Sequence, residues 1–158
     1  MGYTLSGSCK RELETVHHHL RLLVVEALKV TTIPFLVYEG ARSTERHRAF
    51  LLGGVSSRPE SRHKVSRITG VAHAIDLVPL VDDVMRWELG ACCKVADAMR
   101  QAALAEDVPL HWGPCWPQLL TEIPGGVTDE IALAATSEGR GPLWVNPGHY
   151  ELPRSHYL

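Results

Sequence analysis

From position 10 to position 30 the apolar residues Leu13, Val16, Leu20, Leu23, Val24, Ala27 and Leu28 recur three or four apart. That spacing draws one apolar stripe along a helix and predicts a single amphipathic helix over 10–30. IPFLVYEG, 33–40, is a short apolar run closed by glycine and predicts a buried strand. Residues 42–53 return to helical spacing, and GGVSSRPES, 53–61, has the composition of a loop. AHAIDLVPLV, 72–81, reads as a strand through the core. DDVMRW then predicts a turn into a long helix over 87–106, with Val95, Ala98, Met99 and Ala102 inward. VPLHW, 108–112, predicts a short strand; 113–145 is rich in Gly and Pro with one short helix near 128–135; WVNPGHYELP, 144–153, predicts a last strand. This order of elements implies an α+β fold, with helices packed on one side of a small, mostly antiparallel sheet.

Composition narrows the setting. A chain of 158 residues is long enough for one core, so a single domain over 1–158 is expected. Apolar residues at 45% and charged residues at 22% are ordinary for a globular protein. A net charge of -2 gives no general basic surface for nucleic acid or anionic lipid. No apolar run reaches membrane-spanning length, and the first residues show no secretory h-region. Cys9, Cys92, Cys93 and Cys115 form no CxxC and read as reduced thiols.

Histidine is the outlier, with nine residues. His17, His18 and His19 fall inside the predicted helix. Successive helical side chains point about 100° apart, so these three are expected on the surface and not on one ion. A catalytic zinc takes three protein ligands and keeps an open position. His63 ends a loop, Asp76 lies in the strand after it, and His149 lies in the last strand beside Tyr150 and Glu151. Neighbouring strands would let these three meet, and the residue pattern alone leaves that open. His73 is the rival to His63, but it stands three before Asp76, which on a strand places the two on opposite faces.

EGARSTERHRAFL, SRH with AHAIDLVP, RW with KVADAMRQAALAEDVPLHWG, and GHYELPRSHY occur in that order over roughly 5–158. Together they resemble the M15 zinc peptidases of phage endolysins, the L-alanyl-D-glutamate peptidases, which are related to D-alanyl-D-alanine dipeptidases and carboxypeptidases. The resemblance implies Zn2+ held by His63, Asp76 and His149, with water activated by the metal cleaving the peptidoglycan stem peptide. It implies that Arg42 holds a substrate carboxylate by a forked, charge-assisted pair. Ser43 and Ser61 are candidates to contact the substrate or to orient the ligands. It further implies a monomeric lytic protein with one catalytic domain and no separate wall-binding domain. Such a protein is held in the host cytoplasm and reaches the wall after the membrane is permeabilised, with no stable membrane association of its own.

Three departures stand out. Counting seven back from Asp76, the commoner spacing of the family, reaches Thr69, which implies an inserted loop, KVSRITGV, between His63 and the strand. The position three before the last histidine, usually an acid that serves as general base, is Asn146. An amide has no useful basicity near neutral pH. Glu122, Asp129, Glu130 and Glu138 are the candidate replacements. Cys115, in WGPCW, stands where relatives often carry an aspartate, and a thiolate there is a candidate extra zinc ligand. Trp112, Trp116 and Trp144 are candidates to line a groove, with core packing as the plainer reading. Against the peptidase stand a catalytically impaired wall-peptide-binding homologue, a D-alanyl-D-alanine dipeptidase or carboxypeptidase, and a structural protein without metal.

Overall fold

One strand organises the molecule. Ala74–Val81, here β2, pairs antiparallel with Phe35–Glu39 (β1) on one side. On its other side it pairs first with His149–Glu151 (β5) and further along with Val84–Met85 (β3). His111–Trp112 (β4) adds to the outer edge of β5, so the sheet runs β1-β2-β5-β4 with β3 attached to β2. The computed structural model describes residues 3–53, 61–137 and 146–158.

Among the described residues every strand pairs antiparallel, and the helices pack on one face. Alternation along β2 explains both faces. Ile75 and Leu77 join the helices in the main core, while Ala74, Asp76 and Val78 point the other way. The helical side comes from His18–Val30 (α2), buried through Leu20, Leu23, Val24, Ala27 and Leu28, and from Leu89–Glu106 (α4), whose inner face is rich in alanine. Small side chains there let α2 and α4 approach closely and cover the sheet. Thr44–Leu52 (α3) and Asp129–Ser137 (α5) match the two other predicted helices within a few residues.

The predicted single helix over 10–30 is two. Gly7–Leu13 (α1) ends before Glu14, and α2 starts after His17. Val16 forms a bridge with Ala72; the His17 amide donates to Ala72 O at 2.8 Å, and the Ala72 amide to Thr15 O at 3.0 Å. Tertiary pairing takes the backbone groups that a continuous helix would use, so the apolar stripe survives and the helix does not. The DDVMRW turn is also more than a turn. Asp82 and Asp83 both have positive φ, 52° and 62°, closing a two-residue hairpin between β2 and β3. The last strand is observed over His149–Glu151; positions 144 and 145, with Trp144, lie outside the described residues, as do most of the 53–61 loop and Glu138.

Candidate metal centre

Three strands supply one row of side chains. Glu39 on β1 is the register partner of Asp76 on β2, and Asp76 is the partner of His149 on β5. A β-bulge between Val37 and Glu39 brings Glu39 into that row. The fourth residue comes from a loop. His63 is fixed through its backbone, since the Arg42 amide donates to His63 O at 2.7 Å and the His63 amide donates to Ser61 Oγ at 3.2 Å. The His73 amide closes the loop by donating to Arg62 O at 2.9 Å. The inserted segment is thus an excursion pinned at both ends, and the longer spacing does not displace His63.

The convergence is tight. His63 Nε2 lies 3.2 Å from Asp76 Oδ1 and 3.3 Å from His149 Nδ1, and His149 Nδ1 lies 3.1 Å from Asp76 Oδ1. Zinc bonds to nitrogen and oxygen of about 2.0–2.1 Å give a tetrahedron with edges of roughly 3.3–3.4 Å. The three atoms therefore already form one tetrahedral face.

Proton positions make the case sharper. His63 Nδ1 is 2.8 Å from Gly40 O, an acceptor only, so Nδ1 carries the hydrogen and Nε2 presents a lone pair. His149 Nε2 is 3.1 Å from Glu151 Oε2, so it donates to that carboxylate and Nδ1 presents a lone pair. With Asp76 Oδ1, three electron-pair donors face one another, an arrangement that needs a cation at its centre. Carboxylate and carbonyl partners on the far ring nitrogens are the usual means of orienting metal-bound histidines. In the metal-free protein a proton takes that role. Burial opposes charge on His149, but hydrogen bonds and charges from Asp76 and Glu151 overcome it and lift its pKa to about 9. Burial likewise opposes the Asp76 charge, and His63 and His149 more than reverse this, holding its carboxyl well below the usual range. The His149 side chain is 20% exposed against 3% for His63 and 10% for Asp76, so the open side of the cluster lies at His149.

The other candidates surround this core in different ways. Arg42 is nearly buried: its Nε donates to Glu39 Oε1 at 2.7 Å, its Nη2 contacts the same oxygen, and its guanidinium lies over the Phe50 ring. Glu39 Oε2 also pairs with exposed Arg46 at 3.1 Å. Two guanidiniums thus share one carboxylate, a net positive trio 3.7 Å from His63 Nδ1 at its nearest point. Ser43 caps α3, its Oγ accepting from the Arg46 amide at 3.1 Å. Ser61 holds His63. Asn146 is exposed; its Oδ1 accepts from the Gly148 amide at 3.1 Å, and its backbone oxygen accepts from the His149 amide at 3.2 Å. That turn presents His149. Gly148 is required there because a Cβ would meet the Trp87 ring at 2.5 Å and Leu77 O at 2.6 Å.

The remaining candidates lie elsewhere. His73 is buried with Nε2 at 2.9 Å from Thr69 Oγ1, its ring packed on His17. Cys115 is buried in the core, its thiol pushed up to about 11 by burial, and it is not in the cluster. Glu122 accepts from the Leu119 amide at 3.2 Å, and Asp129 lies against Gly90 and Cys93 at the start of α4. Trp112 is fully buried, its Nε1 donating to Pro147 O at 2.8 Å. Sequence reasoning missed the supporting roles of Glu39 and Glu151. Glu151 was within reach, since residues two apart on a strand share a face; Glu39 depends on a bulge that the sequence does not announce.

The family model described as phage L-alanyl-D-glutamate peptidase matches residues 1–135 of the chain. The chain belongs to that family. The peptidase also matches the crystal structure of the Serratia marcescens L-Ala D-Glu endopeptidase ChiX, with 27% identity and a TM-score of 0.71 over 97% of this chain and 92% of that one. No curated protein matches it. The structural likeness covers more of the chain than the family match, which ends before His149.

Proposed function

We infer that the protein is a zinc-dependent peptidase that hydrolyses the bond between L-alanine and D-glutamate in the peptidoglycan stem peptide. The observation that carries this is the triangle of lone pairs from His63, Asp76 and His149, found in a chain of this family. Two imidazoles and one carboxylate with an open side suit zinc in a catalytic setting. Zinc held there supplies a Lewis acid for the scissile carbonyl and brings the acidity of water near neutrality.

The chain's own groups do the rest. Glu151 and Gly40 O keep both imidazoles in the tautomer that points a lone pair inward. Arg42, with Arg46, offers positive charge to a carboxylate of the acidic stem peptide, while Ser43 supports Arg46 through the α3 cap and Ser61 supports His63. Holding that carboxylate places the peptide bond over the open side, an orientation effect. Asn146 stands at the base position, where its amide orients water and accepts no proton. One chain brings His63, Asp76 and His149 together, which supports a single catalytic domain over residues 1–158, acting as a monomer. No helix among the described residues is long and apolar enough to cross a membrane. The substrate lies in the wall, so the protein made in the host cytoplasm acts after the membrane is breached.

Asn146 favours a second reading, a homologue that binds wall peptide and cuts it poorly. One experiment separates the readings. Purified sacculi are digested with protein carrying one equivalent of zinc, and the fragments are analysed by mass. Release of fragments with a new amino terminus on D-glutamate supports the peptidase. Binding to sacculi without release supports the second reading, and cleavage between the D-alanines would overturn both.

A further inference from the structure

A second group of histidines meets where helix geometry alone forbids it. His17 is not helical: with φ -53° and ψ 142° it is the N-cap of α2, and its Nδ1 accepts from the His19 amide at 3.0 Å. Its ring is turned back over the first turn and crowds its neighbours. Ring centroids are 4.3 Å apart for His17 and His18, 4.9 Å for His17 and His19, and 4.4 Å for His18 and His19. One ligand nitrogen from each ring lies within 4.8 Å of the others. This overturns the expectation that the three side chains diverge.

We propose that His17, His18 and His19 form a second site for a divalent transition-metal ion, separate from the His63 cluster. Imidazole-only donors suit zinc, nickel and copper. Tyr157 positions one ligand: its hydroxyl lies 2.7 Å from His19 Nδ1, and in the tautomer with the hydrogen on Nδ1 that ring offers its Nε2 lone pair to an ion. The inner edge is walled by His73 and Tyr157, whose rings stand edge-on to His17 at 5.3 Å and 5.2 Å. His73 Nδ1 is buried without a hydrogen-bond partner, a fourth imidazole behind the cluster. Burial and the adjacent histidines bring His17 down to about 4, and the same causes lower His19, so both rings are neutral and able to ligate at neutral pH.

The arrangement also sets the strength. Ligand atoms up to 4.8 Å apart must close to the roughly 3.3 Å edge of a zinc tetrahedron. His18 is the exposed member of the three, so its ring is the freest to turn toward an ion. His17 must give its Nδ1 lone pair to the ion and release the His19 amide. The site is therefore weaker and faster-exchanging than the His63 cluster, where no movement is needed.

The test is calorimetric titration of zinc chloride into three proteins: the parent, the double variant His18→Ala/His19→Ala, and His149→Ala. The parent should take two equivalents, and zinc should keep raising its thermal midpoint beyond the first. The double variant should keep the first equivalent and bind the second at least tenfold more weakly, while His149→Ala should lose the first and keep the second. A parent that binds one equivalent, abolished by His149→Ala, overturns the second site. So does a second equivalent that persists in the double variant, which would be adventitious binding. A parent equivalent that survives His149→Ala and disappears in the double variant would sink the peptidase metal centre and leave this site standing.

Discussion

Around His149 each neighbour has a separable task. Glu151 lies on the same face of β5 as His149 but behind its ring, where its carboxylate accepts a hydrogen bond from Nε2 and makes Nδ1 the more basic ligand. Removing that negative charge while keeping the shape, Glu151→Gln, should weaken zinc binding about 10-fold to 100-fold, read by competition with a chromophoric chelator. Asn146 is a cleaner target still. Its Oδ1 is used only as an acceptor for the Gly148 amide among the described contacts, and a carboxylate oxygen accepts equally well. Asn146→Asp should therefore preserve the turn and the zinc stoichiometry while adding a base. Its turnover on sacculi should rise about 10²-fold or more, the usual contribution of general base catalysis. Unchanged turnover in a variant with full zinc would show that the base position is not limiting.

At the scale of elements, the cluster depends on how closely α1, β1 and the His63 loop approach. Gly40 is where they touch. A Cβ there would overlap the Glu12 carbonyl and the Thr15 hydroxyl, while Gly40 O receives the His63 Nδ1 hydrogen. Gly40→Ala should destabilise the fold by about 1–3 kcal/mol in denaturant titration. It should also shift His63 enough to lower zinc content, which a surface alanine substitution would not do. Much at this scale was legible. The alternation of AIDLVP placed Ile75 and Leu77 opposite Asp76, and the stripe from Leu13 to Leu28 named the buried face correctly. What failed was continuity. Nothing local in residues 14–17 says that Val16 and His17 will pair with Ala72, and that pairing splits the helix and gathers the three histidines.

Over the whole molecule, burial governs the thiols. Cys9, Cys92, Cys93 and Cys115 are all buried and free. Burial above all pushes Cys92 and Cys93 up to about 12, with Glu88 and Asp129 respectively adding to the effect. Native protein should resist alkylation at pH 8 and expose four reactive thiols in denaturant, counted by a colorimetric thiol reagent. The unfolded chain loses these protons near pH 9 while the folded one retains them, so stability should fall as pH rises above about 9. By itself the sequence determined most of the element types and the faces they bury, because periodicity is a local property, while the ligand set came from the family resemblance that four motifs in order carry. Only the tertiary structure decided that the lone pairs of His63, Asp76 and His149 meet at 3.1–3.3 Å, that Glu39 joins their row, and that His17 turns back on His18 and His19. Those facts rest on strand register, a bulge and a helix broken by a distant partner, and each is a pairing between residues far apart along the chain.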